Sequence, residues 1–226
     1  MRKKIRSLPR IHDIGAVVFD LDGVLVDSEP LHFRAANRVL TKFGKAISEA
    51  EYRAYIGLGE VATWTEWQQR YAIPLPVPEL LAAHTQARLQ EIDAGVPAIA
   101  EAVDLARRWR ADGVRLAIAS SSTPAIIDAL LAALKLAETF AVRVSGEDPE
   151  VRCGKPAPDV YLTTAARLGV HPRTCLAIED SEPGVRAATR AGMTCVAVPN
   201  RWTADQDFSE AHVVLASLRY FPLLVL

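Results

Sequence analysis

VVFDLDGVLVDSEP, residues 17–30, is the stretch on which the reading of this chain turns. With Ala16 in front, four apolar residues run straight into Asp20-Leu21-Asp22-Gly23, followed by Val24-Leu25-Val26 and a third acid, Asp27. A short run that is apolar on both faces has the composition of a strand buried in a covered parallel sheet. Such a strand has no ready reason to end on two carboxylates backed by a glycine. A lone pair of acids two residues apart is a weak signal, so its meaning depends on what ends the other strands.

Four similar runs follow, at 114–119 (VRLAIA), 141–144 (AVRV), 174–178 (TCLAI) and 194–198 (TCVAV), with a weaker one at 212–215 (HVVL). Between them, residues 99–113, 124–136, 158–169 and 183–192 have helical spacing. Three of these segments begin near a proline and three end at or beside Gly113, Gly169 and Gly192, the usual helix start and stop residues. Strand alternating with helix predicts an α/β fold with a doubly wound parallel sheet. From residue 28 to 95 the alternation stops. LHFRAANRVLTKF (31–43), VATWTEWQQRY (61–71) and PELLAAHTQARLQEI (78–92) all read as helices. The expected organisation is a core of residues 1–27 and 96–226, with a helical cap at 28–95 inserted after strand 1.

Composition narrows the function classes. The chain has 226 residues, 50% hydrophobic and 23% charged, with a net charge of −1 and three scattered cysteines. That balance fits a globular protein and gives no basic surface for nucleic acid or an anionic membrane. The cysteines show no metal or disulfide spacing, as expected for reduced thiols in the cytoplasm. The basic start, MRKKIRSLPR, lacks the apolar core of a signal peptide, and the final FPLLVL is too short to span a bilayer, so it reads as a tail tucked onto the fold. A cytoplasmic monomer is the expectation.

In an open α/β sheet, ligands bind beyond the carboxyl ends of the strands. Strand 1 ends in Asp20-Leu21-Asp22-Gly23, strand 2 in Ser120-Ser121-Ser122, and strand 4 in Glu179-Asp180-Ser181, while Gly154-Lys155-Pro156 follows strand 3. Carboxylates from Asp20, Glu179 and Asp180 are hard oxygen ligands suited to Mg²⁺, and crowding them demands a divalent cation. Ser120 and Lys155 are then placed to hold phosphate oxygens, with amides of Ser121 and Ser122 at the start of the next helix as further donors. Asp20 can attack phosphorus to form an aspartyl-phosphate. Asp22 can protonate the leaving oxygen and then activate water, and Gly23 leaves room for the substrate to approach.

In order and spacing, DLDGVLVDSE, AIASSS, GKPAPDVYL and AIEDSEPGVRAA closely resemble the four motifs of the haloacid dehalogenase-like hydrolases. The nearest likeness is to the subfamily of β-phosphoglucomutase and small sugar-phosphate phosphatases. The resemblance implies a Rossmann-like core, Asp20 as nucleophile, Asp22 as general acid/base, and Ser120 and Lys155 on the transferring phosphate. It also implies Mg²⁺ on Asp20, the backbone carbonyl of Asp22, Glu179 and Asp180. The expected activity is Mg²⁺-dependent hydrolysis of a small phosphorylated metabolite, with a phosphosugar mutase as the alternative. Members that are mutases carry an arginine in the first cap loop. Here Glu60 stands at that place, which points to hydrolysis, although Arg53 or Arg88 could substitute. In the cap, Trp64, Trp67 and Tyr71 read as core, Arg88 as surface, and His32 as facing either the cleft or the packing seam.

Overall fold

The computed structural model describes residues 14–56 and 58–224. The basic stretch MRKKIRSLPR lies outside the described residues, as does the end of the FPLLVL tail. Six strands form one sheet: β1 (Ala16–Phe19), β2 (Leu116–Ser120), β3 (Val142–Ser145), β4 (Cys175–Glu179), β5 (Thr194–Ala197) and β6 (Val213–Val214). Every pairing is parallel and the order is β3-β2-β1-β4-β5-β6. All six strands expected from sequence are present, with ends displaced by one or two residues. The α-helices among the described residues are α1 (Glu29–Thr41), α2 (Glu49–Tyr52), α3 (Glu60–Arg70), α4 (Val77–Ala94), α5 (Ala100–Ala111), α6 (Pro124–Ala133), α7 (Asp159–Leu168) and α8 (Glu182–Arg190).

The sheet is covered on both faces, which is why its strands are apolar throughout. Alternate residues of β1 separate the two layers. Ala16 and Val18 join Val144, Tyr161, Val185 and Cys195 in one cluster. On the other side Phe19 packs edge-on to Phe140 and Trp109, with ring centroids 5.5 and 5.9 Å away. Trp109 in turn meets Phe221, the first residue of the C-terminal tail, at 5.1 Å. The helix starts carry local signals. Thr123 caps α6 by accepting from the Ile126 amide, and the Ser181 hydroxyl caps α8 by accepting from Gly184.

The chain divides into two compact units, one formed by the residues up to Asp27 and from Pro97 onward, the other by Ser28–Val96. Within the second unit, α4 packs against α1 and α3. Its core holds Val39, Leu40, Trp64, Trp67 and Leu80, with the two tryptophans edge to face at 5.1 Å. Tyr71 flanks that cluster, as the aromatic stripe predicts. Glu91 on α4 is buried and receives both Arg34 (2.6 Å) and Arg38 (2.5 Å) from α1. Two local readings are corrected. Arg88, expected at the surface, is 3% exposed and donates to Glu60 at 3.1 Å. The short helix α2 went unread, although Ser48 and Glu51 form a capping box that signals it. Among the described residues, no helix is long and apolar enough to cross a membrane.

Candidate active site

Asp20 directly follows β1, Ser120 and Glu179 are the last residues of β2 and β4, and Lys155 lies in the loop between β3 and α7. They therefore share the carboxyl edge of the sheet. β1 and β4 are neighbours, and from them the strand order runs outward in opposite directions, the point where such sheets open a crevice. The ladder extends to the acid itself, since the Asp20 amide donates to Ile178 at 2.9 Å. Carboxylate oxygens of Asp20, Glu179 and Asp180 lie within 4.8 Å of one another.

Lys155 organises this cluster. Its ammonium donates to Asp20 Oδ1 at 2.5 Å, Glu179 Oε1 at 2.6 Å and the Ala119 carbonyl at 3.1 Å. Glu179 is fully buried and each of its oxygens is engaged. Tyr161 donates to Oε1 at 2.7 Å, while the Asp180 amide and the Ser181 hydroxyl both donate to Oε2 at 3.1 Å. Burial pushes the Asp20 carboxyl up to about 8; Lys155 opposes this, and the charges of Glu179 and Asp22 reinforce it. The Lys155 ammonium moves upward as well, because its two carboxylate neighbours outweigh its burial. The charge that dominates the cluster is thus a negative excess held in a dry setting, with one ammonium against several acids.

Asp22 is oriented from a different strand. Ser122 Oγ donates to Asp22 Oδ2 at 2.8 Å, and the Ser122 amide donates to Ser120 Oγ at 3.0 Å. Ser145 completes the support by donating to the Ser122 carbonyl at 2.7 Å. Ser121 and Ser122 precede α6 rather than opening it, because Thr123 is its cap and Pro124 its first residue. Ser121 is exposed and Ser120 buried, so of these two it is Ser121 that faces solvent.

The glycine behind the acids has a structural reason in addition to the substrate clearance expected from sequence. Gly23 has φ +76°, and a Cβ there would lie 2.0 Å from Asp180 Oδ2. Its bareness makes space for a neighbouring acid. Gly184, at the start of α8, does the same for Glu179, whose Oε1 would be 1.9 Å from an added Cβ. Asn200 fixes Asp180 by donating to Oδ2 at 2.8 Å. Asp27 accepts from Trp202 Nε1 at 2.9 Å.

The donor set fits a hard divalent cation. It consists of carboxylate oxygens only, with no sulfur or imidazole among the three clustered groups, and carries more negative charge than Lys155 balances. Sequence reasoning brought together Asp20, Asp22, Ser120, Lys155, Glu179 and Asp180, and all of these meet at one edge. It missed the ties made by Ser122, Tyr161 and Asn200. Tyr161 lies inside the quoted GKPAPDVYL stretch, so a signal existed; Asn200 has none.

Hexitol phosphatase B of Escherichia coli K12 is 35% identical over 218 residues, covering 94% of this chain and 95% of that protein. Protein CbbY of Rhodobacter capsulatus is 35% identical over 212 residues, covering 88% and 91% respectively. A crystal structure of a mutant CbbY from Rhodobacter sphaeroides in complex with xylulose-(1,5)bisphosphate superposes with a TM-score of 0.82. Its sequence identity is 29%, over 90% of this chain and 94% of that one. Residues 14–192, which carry the strand-end acids, the serines and Lys155, match the family model of the haloacid dehalogenase-like hydrolases, and the chain belongs to that family.

Proposed function

We propose that the protein is a Mg²⁺-dependent phosphatase that releases inorganic phosphate from a small phosphorylated sugar or polyol through an aspartyl-phosphate on Asp20. The observation that carries this reading is the contact of one buried ammonium, Lys155, with both Asp20 and Glu179 beside Asp180. The relatives' names, hexitol phosphatase and a CbbY bound to a sugar bisphosphate, support the substrate class.

The Asp20 carboxylate attacks phosphorus while Lys155 holds it in one orientation and balances part of its charge. Asp22, aimed by Ser122, protonates the leaving oxygen and then takes a proton from the water that hydrolyses the acyl phosphate. Ser120, whose oxygen accepts from the Ser122 amide and so leaves its O–H to donate, supplies a donor to the phosphoryl oxygens together with the Ser121 amide. Asp20, Asp180, Glu179 and the Asp22 carbonyl would hold the Mg²⁺, which supplies electrostatic stabilisation of phosphoryl charge. It would also offset the burial that favours a protonated Asp20.

Hydrolysis is favoured over isomerisation by the helical unit. Glu60 pairs with the buried Arg88, so that arginine is already committed to an acid and gives no surplus positive charge for a second phosphate. The deciding experiment measures phosphate release from a panel of hexitol, pentose and hexose phosphates with and without Mg²⁺, and follows β-glucose 1-phosphate for isomerisation. Activity without any divalent cation, or isomerisation without phosphate release, would refute the reading.

A further inference from the structure

The loop after β5 touches two places that the proposed chemistry leaves unconnected. Asn200 is held at every polar atom of its side chain. Its Nδ2 donates to Asp180 Oδ2 at 2.8 Å and to the Gly23 carbonyl at 3.5 Å, and its Oδ1 accepts from the Trp202 amide at 2.8 Å. Two further bonds close the turn, from the Asn200 amide to Thr203 Oγ1 at 3.1 Å and from the Thr203 amide to the Asn200 carbonyl at 3.2 Å. The same turn projects the Trp202 indole, whose Nε1 donates to Asp27 Oδ1 at 2.9 Å. Arg201 reinforces this end, reaching Asp27 Oδ2 at 3.3 Å with its guanidinium 4.5 Å from the Trp202 ring centre.

Asp27 is the last residue of the sheet unit before the chain leaves it, and Pro97 is the first on its return. The two are bonded, with the Asp27 amide donating to the Pro97 carbonyl at 2.9 Å and Val26 bridging Ala98. A continuous path of direct contacts therefore runs from the acidic cluster, through Asn200 and Trp202, to both crossover strands. Nothing in the motif set accounts for it.

We propose that the Asn200–Trp202 loop is a positioning and coupling element: Asn200 sets the orientation of Asp180 toward the divalent cation, and Trp202 transmits the ordering of that site to the crossovers at Asp27 and Pro97. The proposal rests on the cation site of the reading above. An amide that fixes one carboxylate oxygen leaves the other presented in a single direction, which is how outer residues tune metal affinity. Because coupling is reciprocal, an ion that orders Asp180 must also stabilise the bonds at the far end of the path.

The test uses the intact protein and needs no substrate. Mg²⁺ binding is measured by calorimetry, and amide exchange of residues 24–28 and 96–99 is followed with and without Mg²⁺. Wild type is expected to bind Mg²⁺ and to show slower exchange in both crossovers when it does. Asn200→Ala should weaken Mg²⁺ binding by about 10- to 100-fold. Trp202→Phe, which keeps an aromatic ring but cannot donate to Asp27, should bind Mg²⁺ within about twofold of wild type while losing the Mg²⁺-dependent protection at Asp27. That split is not produced by a merely structural role. Should Asn200→Ala fold poorly by circular dichroism, Asn200→Leu, which is close in size and cannot donate to Asp180, carries the same expectation. Unchanged affinity in the Asn200 variants, or protection that survives in Trp202→Phe, overturns the coupling while leaving the phosphatase reading intact. Failure of wild type to bind Mg²⁺ overturns both.

Discussion

Ser122 Oγ lies 2.8 Å from Asp22 Oδ2, a bond between the end of β2 and the loop after β1. Asp22 is proposed to transfer protons twice, so its orientation matters in both chemical steps while its contact with the ground-state substrate is slight. Ser122→Ala is expected to lower kcat by about five- to thirtyfold, the equivalent of one to two kcal/mol of lost ordering, with KM nearly unchanged. Ser122→Thr, which keeps the hydroxyl, should recover most of the loss. Steady-state kinetics on the best sugar phosphate decide the matter, and a rise in KM at constant kcat would place Ser122 in substrate binding instead.

Lys155 has a side chain only 7% exposed and sits between two carboxylates. Removing one partner from a buried charge cluster leaves the others uncompensated, at a cost of about 3 kcal/mol or more. Lys155→Met should therefore lose activity and, in buffer stripped of divalent ions, also lower the melting temperature by about 10 °C. Added Mg²⁺ should restore part of that stability, because it answers the same negative excess. An unchanged melting temperature in chelator would show that the cluster is already neutral by protonation.

The pair Glu60–Arg88 makes a pH prediction for the helical unit. Burial raises the Glu60 carboxyl, but the His84 imidazole 3.6 Å away and the charge of Arg88 outweigh it and hold the group at about 2. His84 shifts downward through its own burial, so it is neutral near pH 7 and Arg88 supplies the matching charge. Both folded values lie below the unfolded ones, so in each case the unfolded chain binds the extra proton and stability falls with acid. His84 acts as pH drops below about 6.5, and Glu60 between about 4.5 and 2. With 41% of the Glu60 side chain exposed, solvent screening keeps the effect modest. Urea midpoints of wild type and Glu60→Gln should differ most near pH 6 and converge toward pH 2.5. A gap that widens in acid would reverse the sign and refute the assignment.

Gly23→Ala tests the crowding behind the acids. A Cβ 2.0 Å from Asp180 Oδ2 cannot be accommodated without moving a carboxylate that Asn200 holds in place. The positive φ adds strain of about 1 kcal/mol or more. Mg²⁺ affinity is expected to fall at least about tenfold, measurable by calorimetry without substrate. Wild-type affinity in this variant would mean that Asp180 can turn freely.

Much of the site was legible because each acid follows an apolar run. Phe19 leads into Asp20, and Ile178 into Glu179, so strand ends and chemistry coincide in the chain itself. The serines after β2 were legible for the same reason. What stayed hidden are pairings made only by folding. Asn200 meets Asp180, Arg34 and Arg38 meet Glu91, and Arg88 leaves the surface for Glu60; a polar residue in a loop or on a helix gives no sign of its partner. Gly23 stands out in the sequence, but the Asp180 carboxylate packed against it does not. Only the left-handed φ and the position of Asp180 show which group needs the space.

The division of labour between the two aspartates gives the most direct test of the proposed chemistry. Lys155 touches the Asp20 carboxylate, whereas the Asp22 carboxylate is held by Ser122. Asp20→Asn removes the attacking oxygen's charge and is expected to cost about four orders of magnitude or more in kcat. Mg²⁺ binding should weaken too, since a ligand loses its charge. Asp22→Asn removes proton transfer but keeps the backbone carbonyl, so kcat should fall by about 10²- to 10⁴-fold with Mg²⁺ affinity nearly intact. If the acyl-phosphate forms but breaks down slowly in that variant, rapid quench with substrate should trap phosphate on the protein in Asp22→Asn and never in Asp20→Asn. Equal loss of Mg²⁺ binding in both variants would show that the Asp22 side chain is itself a ligand, and its role as the proton carrier would have to be given up.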